Sequence, residues 1–122
     1  MATLPGQPGD PIQLCTALTG NVSTDLADRG TRWQTGGAVV ITSTIGATPT
    51  VTVNIQGSID GTNWYNIPYA LVATPRTFVL TALTITTAVT VTYLLQENIA
   101  WRYMKLVMSA NTNVTLTAKV YT

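Results

Sequence analysis

Apolar and polar residues alternate along most of this chain with a period of two, the spacing of a strand that turns one face to a core. Over residues 50–56, Val51, Val53 and Ile55 fall on one side and Thr50, Thr52, Asn54 and Gln56 on the other. Residues 114–121 repeat the pattern, setting Val114, Leu116, Ala118 and Val120 against Thr115, Thr117, Lys119 and Tyr121. Further runs rich in β-branched and aromatic residues cover 12–18, 38–44, 76–80, 85–95 and 101–109, and no segment holds a helical period. Roughly seven to nine short strands with frequent breakers predict an all-β domain, an antiparallel β-sandwich of jelly-roll type spanning residues 12–122.

Breakers set the expected boundaries. Asp60-Gly61 is a hairpin signal, because Gly accepts the positive φ of a tight turn, and it should join the 50–56 strand to a short one around Trp64. Gly36-Gly37 precedes the 38–44 strand and Pro49 the 50–56 strand, while Asn111-Thr112-Asn113 predicts a compact turn between the last two strands. Residues 18–32 lack alternation and read as a surface loop, with one helical turn at 24–27 and with Arg29 and Arg32 placed to make contacts. Residues 1–11 interleave Pro5, Pro8 and Pro11 with Gly6 and Gly9, a composition that permits neither helix nor interior strand. They predict an extended arm reaching about 30 Å, a tether that lays Leu4, Pro5, Pro8 and Pro11 on a partner.

Charge changes the picture more than length does. Charged residues are 9% of the 122 positions, against about 25% in an ordinary domain, and histidine is absent. A fold of this mass exposes roughly 6,300 Å², so a patch of about 800 Å² holds only one or two of the eleven formal charges. Depletion of charge marks interface cores, and a net charge of +1 gives little self-repulsion. The chain therefore reads as one built to be covered by neighbours. Six scattered Lys and Arg do not make a nucleic-acid surface. No apolar run approaches a membrane span and no secretion signal opens the sequence, so the expectation is a protein made in the cytoplasm.

Little here can carry a reaction. Without histidine, acid–base work falls to five carboxylates, none with a visible partner. Asp25 and Asp28 are too few for a hard-metal site and read as a loop capping its own backbone. Cys15, the lone cysteine, sits among apolar residues and reads as a small buried hydrophobe. No catalytic residue, metal or cofactor is expected. Trp64, Tyr65 and Tyr69 crowd a short segment, so one or two should be exposed, either to anchor a protein or to stack on a sugar. Trp101 and Tyr103 share one alternation of their strand, opposite Met104, Leu106 and Met108, and that face wants a cover.

The run from Ser58 through Asp60-Gly61 to Trp64 resembles an S-x-D-G-x-x-W hairpin found in small β-sandwich proteins of tailed bacteriophage virions and in some discoidin-like carbohydrate-binding domains. With the Pro/Gly arm, Thr-rich strands and small size, the whole chain resembles capsid decoration proteins, also called cement or head-stabilising proteins. That resemblance implies a homotrimer on the outer surface of the virion, clamping adjacent major capsid protein subunits without chemistry. A carbohydrate-binding or adhesin-type virion module, and a head–tail connector or tail subunit, are the alternatives.

Overall fold

The alternating runs at 50–56 and 114–121 belong to two strands far longer than either. A computed structural model describes residues 11–29, 37–96 and 101–121. Among these residues there is no helix, and eight strands make one antiparallel sheet. They are β1 (Ile12–Leu18), β2 (Ala27–Asp28), β3 (Gly37–Ser58), β4 (Tyr65–Asn66), β5 (Tyr69–Leu71), β6 (Leu83–Ile85), β7 (Thr90–Leu95) and β8 (Tyr103–Tyr121). The order is β1-β8-β3-β7-β5, with β2 on β8 and with β4 and β6 on β3. The all-β, antiparallel expectation and the first strand hold.

β3 and β8 pair from Ala38 opposite Tyr121 to Ser58 opposite Tyr103, and the register slips between Ile45 and Thr52. Positive φ values cluster there: Thr48 at 43°, Ala110 at 51° and Asn113 at 55°. The turn predicted at 111–113 is therefore a bend within β8, and the break before Pro49 a bend within β3. Asn113 Nδ2 donates to Ala47 O (2.6 Å) across the bend, while Asn111 Oδ1 accepts from Val114 N (3.1 Å). These side chains satisfy the backbone groups that the slipped ladder leaves over. The third strand along this ribbon breaks at the same level, since β6 pairs with the 51–53 part of β3 and β7 with the 37–42 part. Ser43 Oγ donates to Thr87 O (2.6 Å) in the gap, so the strand expected over 85–95 is two strands.

The core follows the alternation. Val39, Ile41, Val51, Val53 and Ile55 of β3 and Met104, Leu106, Leu116 and Val120 of β8 are all buried in a single cluster, which thus joins the two halves of the ribbon. Cys15 lies in it as expected, its Sγ 3.5 Å from Leu116 O, and burial pushes the thiol up. Straight, 22 residues would run about 73 Å. The ends of β3 nevertheless approach one another through Arg29. Its backbone N–H donates to Arg102 O (2.8 Å) and its Nη1 to Trp101 O (3.2 Å), beside the Ser58 end. Its Nη2 would lie 3.3 Å from a Cβ placed on Gly37, at the other end.

Two more expectations fail. Residues 76–80 are not a strand: only Val79 bridges, to Tyr69, after turns at 72–76. Residues 24–27 do not form a helical turn, because Thr24 N donates to Leu106 O (2.9 Å) and Ala27 pairs with Met104, tying the segment to β8.

Candidate interface surfaces

After Ser58 the chain turns through residues 59–64 and returns as β4, with Gly57 opposite Tyr65 and Gln56 opposite Asn66. Asp60 organises the turn. Its carboxylate accepts the backbone N–H groups of Asn63 (2.9 Å) and Thr62 (2.8 Å), the Asn63 amide (2.8 Å) and the Ser58 hydroxyl (3.0 Å). These donors, the Asn63 backbone first, hold the carboxyl far below the usual carboxylate range. Gly61 takes φ 79° and donates its N–H to Ser58 Oγ (2.9 Å), so the expected turn is present as a longer loop.

The aromatic residues nearby do not form one platform. Trp64 is half-buried with the Lys105 ammonium 4.3 Å from its ring centroid, a cation–π contact that occupies one ring face. Tyr65 is 58% exposed, and its ring centroid lies 6.0 Å from that of Trp101. Tyr69 points inward instead and meets Tyr93 edge-on at 5.4 Å, because β5 pairs with β7 and turns that ring to the core. Trp101 and Tyr103 are also parted. Trp101 precedes β8 and packs against the core below Gly57, where an added Cβ would come within 2.9 Å of the indole. Tyr103 covers Gly61 on the other side, with the Arg102 guanidinium 5.0 Å from its ring centroid.

Of the basic residues, Arg29 is 2% exposed and is no surface contact, since the pairing of β2 with β8 draws it inside. Arg102 holds Asp28 in a forked bridge, Nε to Oδ1 at 2.9 Å and Nη2 to Oδ2 at 3.1 Å, and this partner raises the guanidinium further. Asp28 therefore sits in a strand and an ion pair and does not cap a loop. Among the described residues no three His, Cys, Asp or Glu side chains gather to hold a metal. Leu4, Pro5, Pro8 and Arg32 lie outside the described residues, and Pro11 is exposed just before β1.

Sequence reasoning missed the apolar surface around β5. Leu71, Val72, Val79 and Leu80 are 46%, 59%, 40% and 62% exposed. The 76–80 run reads as a strand from its composition, and the turns at 72–76, with Thr74 N donating to Leu71 O (3.0 Å) and Thr77 N to Thr74 O (3.1 Å), leave most of it in water. Compared with known proteins, the chain matches no family model, no curated protein and no solved structure.

Proposed function

We propose that this chain is a structural, non-catalytic virion component that binds the outer surface of a tailed-phage capsid as a trimer and clamps adjacent major capsid protein subunits. The observation that carries the reading is how little unpaired charge its surface presents. Arg29 is buried, Arg102 is engaged by Asp28 and Lys105 lies over Trp64, while large apolar side chains stand in water around β5. Such a surface loses little by desolvation and gains by being covered. The fold suits the role as a bent ribbon closed into a two-layered sandwich, for which the single core and the Arg29 contacts at both ends of β3 speak. The arm, residues 1–11, would lie along a neighbouring subunit and add extended backbone contacts.

The mechanism is mass action. A protein that binds only the assembled shell stabilises that state by the free energy of binding, about 2.7 kcal/mol per site at a concentration a hundredfold above Kd. Cryo-electron microscopy of particles formed with and without the chain tests this. Density for the sheet is expected outside the shell at local threefold positions. Density confined to the tail or portal, or none, would discard the reading.

A further inference from the structure

At one end of the sheet Ile12 pairs with Val120, and Ala38 pairs with both Tyr121 and Leu94, so the start of β1 lies three strands from the end of β7. Beyond β7 an open groove of about 620 Å³ is lined by Pro75, Arg76, Phe78, Leu94 and Leu95. Its size falls in the range of about 300–1,000 Å³ that holds a small ligand or a few side chains. Among the described residues, one aromatic ring, aliphatic walls and a single cation, with Gly37 and the Gln96 amide beside them, suit an apolar, proline-containing segment with an acidic residue, the chemistry of polyproline recognition. Residues 1–10 supply that segment, with Leu4-Pro5, Pro8 and Asp10.

We propose that the groove receives residues 1–10 of a second copy of this chain. This rests on reading those residues as a tether and needs no shell. Length alone permits a cis contact, which would span about 14 Å across three strand spacings, within the roughly 31 Å that ten residues can reach. It would, however, leave Leu71, Val72, Val79 and Leu80, in and beside β5, in water, whereas a second copy can cover them while its arm fills the groove. Arm and groove are different surfaces, so copies close either by reciprocal exchange as a dimer or head-to-tail as a ring. The proposed trimer is such a ring.

Sedimentation of the isolated protein tests the proposal, with three variants: deletion of residues 1–10, Phe78→Asp, and the exposed charge reversal Arg76→Glu. The full chain should sediment as a closed oligomer. The deletion and Phe78→Asp should each be monomeric, with association weakened at least tenfold, and Arg76→Glu should weaken it a fewfold and regain it with Asp10→Arg. The deletion variant keeps its groove and Phe78→Asp keeps its arm, so mixing the two should produce a one-to-one dimer. A full chain that stays monomeric overturns the proposal. So does full assembly by the deletion variant, or a mixture that stays monomeric while both variants unfold cooperatively. Because no capsid is present, failure here leaves the shell reading to its own experiment.

Discussion

Asp60 shows how much one residue can settle when its partners are local. It lies two or three positions from every group it binds, Ser58, Thr62 and Asn63, so a sequence reader needs only the Asp-Gly pair and a nearby hydroxyl to expect the turn. Arg29 is the opposite case. Its partners lie at Trp101 and Arg102, and nothing beside it in sequence signals that a guanidinium will be buried. The low folded-state value of Asp60 has a consequence for pH. A carboxyl depressed by folding adds stability that is present above its unfolded value, near 3.8, and is lost as pH falls through the folded one. Asp60→Asn keeps an acceptor oxygen for the two backbone N–H groups and removes the charge. Wild type should therefore melt at a higher temperature than Asp60→Asn at neutral pH, and the gap should close as the pH drops below about 4. A gap that stays constant down to strong acid would show that the turn does not depend on the ionised form.

At the scale of elements, the bend in the ribbon explains most of the boundary differences. Pro49, Asn111 and Asn113 mark the places where the chain changes direction, and that much is legible. Whether such a place becomes a reversal or a bend depends on which strand lies alongside, a non-local fact. Here β3 and β8 bend together and keep pairing on both sides, so neighbouring strands fuse into elements of 22 and 19 residues. Thr48 bears part of the bend at φ 43°, a conformation that costs a β-branched residue about 1–2 kcal/mol. Thr48→Gly should therefore be neutral or stabilising by up to about 1 kcal/mol in urea unfolding. Thr42, also exposed in the same strand, is in regular pairing and its hydroxyl meets that of Thr90 at 3.0 Å. Thr42→Gly should cost about 1 kcal/mol. Equal losses at both positions would mean that the bend does not reside in the backbone at Thr48.

For the whole molecule, composition foretells a surface poor in charge, and the fold makes it poorer by burying one base and pairing another. What composition cannot tell is where the apolar remainder lies, because the exposure of Leu71, Val72, Val79 and Leu80 depends on turns that leave their segment outside the core. These two facts together set how assembly should respond to salt. Contacts made through clustered charge weaken steeply as ions screen them, with affinity falling by orders of magnitude where many pairs are involved. Contacts made through apolar and hydroxyl groups are insensitive to sodium chloride and tighten in sulfate, which is excluded from the surfaces being buried. An exposed pair such as the one proposed between Asp10 and Arg76 would add only about 0–1 kcal/mol. Association should accordingly change less than about fivefold between roughly 50 and 500 mM sodium chloride, and sodium sulfate should strengthen it. Light scattering or sedimentation across the two salts measures this directly. A log-linear loss of association with sodium chloride would place the binding energy in the few charges, and the charge-poor face around β5 would then not be what holds the assembly together.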